Sequence, residues 1–110
     1  MPSEGARRWL EDMAESIHLI EDFTSGMTLA QFEADAKTRY AVLYALLIIS
    51  EASRRLPEDV KDRHPRIPWR DMADAGNIYR HQYHDLSGLM VWKTASESLK
   101  DLKKAVTAEL

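Results

Sequence analysis

The run "YAVLYALLIIS", Tyr40 to Ser50, carries no charge and is apolar around most of a helical circumference. It reaches only about half of the roughly 20 residues needed to cross a bilayer, so its place is inside protein. Asp35 can cap a helix that runs through "AKTRYAVLYALLIISEASRRL", and Pro57 marks its end. A helix without a polar side must be surrounded by other helices. The chain is therefore expected to be an all-α bundle with this segment as its central helix.

The flanking sequence has the same character. In "ARRWLEDMAESIHLIEDF", Trp9, Leu10, Met13, Ile17, Leu19 and Ile20 recur at the three-and-four spacing of one helix face. Gly26 stops that helix and Thr28 can cap a short one through Phe32. Pro57 can open a further short helix, "PEDVKD". "RHPRIP" reads as a loop because each proline pushes the preceding residue out of helical geometry. Pro68 suits the start of "PWRDMADAGNIYRHQY". After "DLSG" the chain resumes as a helix with Leu89, Val91, Trp92, Leu99, Leu102 and Val106 expected to be buried. No repeat or strand-like alternation is present. The expectation is a bundle of about five helices forming a single domain over residues 1–110.

The chain has no cysteine, which excludes disulfides, thiolate zinc sites and cysteine nucleophiles. Acids occupy the N-terminal positions where a signal peptide has its apolar core, so a cytoplasmic protein is expected. The net charge of −3 is unevenly spread. Residues 1–35 carry eight acids against Arg7 and Arg8, whereas residues 54–84 carry seven Arg or Lys against five acids, with three of the four histidines added. That balance argues against sequence-independent coating of nucleic acid but leaves a local surface able to meet phosphate. Arg54, Arg55, Arg63 and Arg66 either guide RNA or an acidic partner face, or are solvated helix-end charges. Glu51, an acid within the apolar helix, calls for a partner such as an arginine of the helix after Pro68.

The chemistry-bearing residues concentrate in "GNIYRHQYHDL", Gly76 to Leu86. At about 100° per residue, with Gly76 at 0°, Arg80 falls near 40°, His84 near 80°, Asn77 near 100° and His81 near 140°, provided the helix extends through His84. Met72, Ala75, Ile78 and Tyr79 fall opposite and are expected to pack on the core. Imidazole moves protons near neutral pH, and a guanidinium holds a phosphate oxygen. RNA supplies its own nucleophile, the 2′-OH, so its cleavage needs proton transfer and phosphate stabilisation but no metal. His81 is the candidate base or acid, Arg80 the candidate clamp and Asn77 a supporting residue. The same pattern also fits a solvated helix surface. His81, His84 and Asp85 lack a further ligand at recognisable spacing, so no metal or cofactor is expected.

These blocks carry a resemblance. "IPWRDMADAGNIYRHQYHDL" followed by "VWKTASESLKDL", with "ISEASRRLP" before them, resembles the HepT-like proteins of the HEPN superfamily from about Arg7 to Leu102. The resemblance implies an all-α homodimer acting as a metal-independent ribonuclease toxin with a composite site at the dimer cleft. It also implies a minimal nucleotidyltransferase antitoxin, similar to MntA, that silences the toxin by AMPylating a tyrosine. The family motif is Arg, Asn, three variable residues, His, one variable residue, Tyr. Asn77, His81 and Tyr83 match it, making Tyr83 the modified tyrosine, and Gly76 stands at the arginine position. Arg80, one turn along, is expected to reach back over the glycine, and Gly76 is expected to permit close approach of another backbone. His84 and Arg70 are further candidates for RNA contact. The alternative reading is a catalytically weak or inactive module that dimerises and engages the nucleotidyltransferase.

Overall fold

In the computed structural model, which describes residues 3–82, 84 and 86–110, Ser3 opens helix α1 (Glu4–Thr24) by accepting the Ala6 N–H at 3.2 Å. Gly26 supplies the positive φ of 74° that turns the chain. Thr28 and Gln31 then form a reciprocal capping box for α2 (Leu29–Ala34). Asp35 caps α3 (Ala36–Arg55), accepting from the Thr38 hydroxyl at 2.8 Å and the Thr38 N–H at 3.1 Å, and these bonds hold its carboxyl below the usual carboxylate range. α4 (Glu58–Arg63) follows Pro57, and α5 (Trp69–His81) follows Pro68. α6 (Gly88–Lys93) passes through a π-helical turn, Thr94–Ser98, directly into α7 (Leu99–Glu109).

The architecture is all-α, with no strand among the described residues. Counting α6, the π turn and α7 as one continuous rod gives four long helices and two short ones, six where about five were expected. No described helix is long and apolar enough to cross a membrane.

α1 and α5 both pack on α3, and α7 packs on α1. The core joins Leu10, Met13, Ile17 and Ile20 of α1 to Val42, Leu46 and Ile49 of α3 and Leu102 and Val106 of α7. Each such side chain contributes about 1.5–3 kcal/mol on full burial. Phe32 anchors α2 to this core, its ring centroid 5.2 Å from that of the half-buried Trp92.

α3 is not wrapped on every side. Tyr40 and Tyr44 are 63% and 66% exposed, because the neighbouring helices cover the face bearing Val42, Ala45, Leu46 and Ile49 and leave the tyrosine face open. Leu19 and Leu89, expected inside, are exposed for the same reason: they lie off the stripe that meets the core.

An ionic clamp closes the C-terminal end. Glu109 accepts from Arg63 through Nη2 at 2.6 Å and Nε at 3.0 Å, and His64 Nε2 lies 2.7 Å from the same carboxylate. The Trp69 indole N–H bonds the His64 carbonyl at 3.0 Å, so the "RHPRIP" loop is tied at both ends. The Arg63 guanidinium, assisted by His64, draws the Glu109 carboxyl down to about 2. Arg63 is thus a structural group and not a surface guide for RNA or for a partner.

Candidate functional site

α5 runs antiparallel to α3, and the smallest residues on it make the contact. Arg54 Nη2 donates to the Ala73 carbonyl at 2.8 Å, and the Ser50 hydroxyl donates to the same carbonyl at 3.0 Å. The Gly76 N–H in turn donates to Ser50 Oγ at 2.9 Å. Gly76 is the one fully buried residue of α5. A Cβ there would stand 2.6 Å from Ser50 Oγ and 3.2 Å from Ser50 Cβ. The glycine therefore serves close helix packing, and the backbone it admits is α3 of its own chain.

This docking corrects the expected orientation of the helix. Ile78, expected to pack on the core, is 44% exposed, while Met72, Ala75 and Tyr79 are half-buried. The hydrogen bonds to Ser50 pull the Gly76 side inward and turn Ile78 toward solvent. Burial pushes the Tyr79 hydroxyl pKa up. Behind α5, on the side facing α7, Ile49, Met72, Tyr79 and Leu102 line a cavity of about 260 Å³.

α5 ends at His81, with Gln82 as its C-cap at φ −129°. The condition that would place His84 on the helical face is thus not met, because the chain leaves helical geometry to reach the Ser87 cap of α6. His84 is exposed beyond the helix. Tyr83, the candidate modification site, and Asp85 lie outside the described residues.

The structure places Asn77, Arg80 and His81 on the last turns of α5, with Asn77 and His81 exposed. Arg70, also exposed, lies eleven residues before His81, on nearly the same face and about 16 Å away along the axis. Arg80 folds back along α5: its Nη2 lies 3.6 Å from the Cβ position of Gly76 and 3.6 Å from Glu51 Oε2. Glu51 is half-buried and also accepts from Arg55 Nε at 3.0 Å. The expected partner of Glu51 is thus present on α5. Among the described residues no group of three His, Cys, Asp or Glu is arranged to hold a metal.

The chemical content of this edge is an exposed imidazole, a carboxamide one turn before it and a guanidinium beside them. The imidazole can exchange a proton with a substrate, and the guanidinium can meet an anionic oxygen. Two features escaped the sequence. Ser50 looked like the end of an apolar run, and Glu109 like a solvated terminal acid. The pairing of small Ser50 with small Gly76 is the only sequence signal that would have found the first.

The chain matches the family model described as "Ribonuclease HepT-like" over residues 13–109. It is 45% identical over 95 residues, 86% of each chain, to a protein of Thermococcus cleftensis named "Probable ribonuclease HepT". Two proteins of Methanocaldococcus jannaschii with RNase names are 33% identical over 96% of this chain and 97% of theirs, and 37% identical over 84% of this chain and 76% of theirs. No solved structure matches the chain. On a match that takes in α3, the Ser50–Gly76 contact and the histidine edge of α5, the chain belongs to the HepT-like ribonuclease family.

Proposed function

We propose that this chain, acting as one domain over residues 1–110, is a metal-independent ribonuclease toxin that cleaves RNA at the cleft of a homodimer. Supporting this is the presentation of Asn77, Arg80 and His81 on one exposed helix end in a member of a ribonuclease family. His81 moves the proton of the 2′-OH or of the leaving 5′ oxygen, and Arg80 leaves Glu51 to neutralise the crowded phosphate. Asn77 supports a phosphate oxygen or the imidazole, and Arg70 and His84 contact the strand further along. A second copy related by a two-fold axis brings a second set of these groups to the same strand. A minimal nucleotidyltransferase similar to MntA is the cytoplasmic antitoxin, and AMP on Tyr83 blocks the cleft with charge and bulk.

Purified protein is expected to cleave single-stranded RNA without added metal, and His81→Ala to lose about 10²–10⁴-fold of that activity. Undiminished cleavage by the variant would remove His81 from the reaction.

One observation favours a second reading, a binding module without turnover. The motif arginine position is Gly76, buried under Ser50, and the nearest guanidinium is engaged by Glu51. That reading predicts no cleavage by wild-type protein and retained association with the nucleotidyltransferase.

A further inference from the structure

The two exposed tyrosines of α3 stand on the same side of the molecule as the histidine edge. With Ser50, the contact to α5, at 0°, Tyr40, Glu51 and Tyr44 fall near 80°, 100° and 120°, and Lys37 and Arg55 near 140°. The Glu51–Arg80 pair shows that this side of α3 meets the side of α5 that carries Arg80, Asn77 and His81. In the antiparallel register set by Ser50 and Gly76, Tyr44 lies level with the end of α5. Tyr40, Leu43, Tyr44, Leu47 and Tyr79 line an open groove of about 300 Å³ at this place.

Folding of the single chain does not require this face: a helix packing only its inner side would be as stable with polar residues at positions 40 and 44. The charges flanking the aromatics are Lys37, Arg55 and Arg80 against Glu51, three to one, which attracts a polyanion and repels a second copy of the same face. Exposed rings in a basic groove are the physical requirement for holding unpaired bases, whose π faces stack on aromatics while the backbone follows the cations.

We infer that Tyr40 and Tyr44 form a base-stacking platform that seats single-stranded RNA beside His81. The inference takes the identity of its ligand from the ribonuclease reading and adds the residues that position the strand. Bases on the tyrosines align the following phosphate with the α5 edge, so these are positioning residues and not catalytic ones.

The test is equilibrium binding of a short, fluorescently labelled single-stranded RNA with 2′-O-methyl groups throughout, which lacks the nucleophile and stays intact. An abasic strand of the same length serves as control. Wild-type protein is expected to prefer the base-bearing strand. Tyr40→Ala and Tyr44→Ala should each weaken that binding by about five- to hundredfold, leaving abasic binding unchanged. Tyr→Phe variants should retain it. In cleavage assays the alanine variants should raise KM while kcat holds. Equal affinity for both strands, or alanine variants that bind as wild type, would overturn the platform. So would alanine variants that lose RNA only because sedimentation shows their assembly has fallen apart, since the face would then be a subunit contact. Failure of His81→Ala to reduce cleavage would sink the catalytic assignment alone, because the binding assay does not depend on turnover.

Discussion

Two carboxylates each gather arginines, and they differ in what the arginines are left free to do. Glu109 is 9% exposed in its side chain and held by both arms of Arg63 at 2.6 and 3.0 Å and by His64 at 2.7 Å. Glu51 is 34% exposed, bonded to Arg55 at 3.0 Å and approached by Arg80 only at 3.6 Å. The first is a bidentate, shielded geometry in which each group depends on the others. The second is a solvent-screened pair of the kind that contributes about 0–1 kcal/mol. An arginine held so weakly can exchange one anion for another at little cost, whereas Arg63 cannot. The contrast separates a group that maintains the fold from one available to a substrate.

The sharpest way to break this comparison is to remove each network and read both stability and cleavage. On the ribonuclease proposal, Arg80→Ala should cost about 10²–10³-fold in cleavage and change folding stability by no more than about 1 kcal/mol. Glu109→Gln should do the reverse, lowering stability while leaving cleavage intact. Arg80→Ala protein that cleaves normally would reduce Arg80 to a partner of Glu51. The motif position would then lack a clamp altogether.

The next largest effect concerns the glycine between the two networks. Gly76→Ala forces a methyl to within 2.6 Å of Ser50 Oγ, so either the hydroxyl rotates and loses two hydrogen bonds or α5 moves away. The expected loss is about 1–3 kcal/mol by denaturant unfolding. In a Ser50→Gly background the same substitution should cost much less, since neighbours that share a clash do not add. Full additivity of the two changes would show that Gly76 is not a packing glycine.

Most of the fold was legible because it rests on local signals. Thr28, Asp35, Pro57 and Pro68 stand at helix starts by their own chemistry, and the spacing of Leu10, Met13, Ile17 and Ile20 marks a core face without knowledge of what covers it. What was not legible depends on pairs distant in sequence. An apolar run does not reveal that Tyr40 and Tyr44 face outward, because that depends on how many helices arrive to cover them. The helical wheel placed Ile78 on the core side because hydrophobicity dominates such a projection, while the hydrogen bonds at Gly76 decide the actual rotation. At the site, the Asn77, Arg80 and His81 grouping was readable from helix periodicity. The engagement of Arg80 by Glu51 also followed, because a partly buried acid needs a cation and α5 supplies one. The place where α5 ends was misread, since Gln82 to Leu86 contain no proline or glycine to announce it.

The smallest effect expected is a difference in pH dependence at the C-terminal clamp. The Glu109 carboxyl titrates at about 2 in the folded chain, against an ordinary value of 4.5, because Arg63 and His64 favour its charged form. A folded-state value below the unfolded one means that the unfolded chain takes up the proton first as pH falls. The stabilisation is therefore complete above about pH 5, declines through the interval from 4.5 to about 2, and is gone below it. Other carboxylates also titrate there, so the informative quantity is the difference between wild type and Glu109→Gln in thermal midpoint at each pH. That difference should amount to a few degrees at neutral pH and shrink steadily on acidification. A difference that is constant across the interval would mean the carboxylate is not preferentially charged in the fold. Glu109 and Glu51 would then be equivalent surface acids, and the contrast between a committed and an available arginine would be lost.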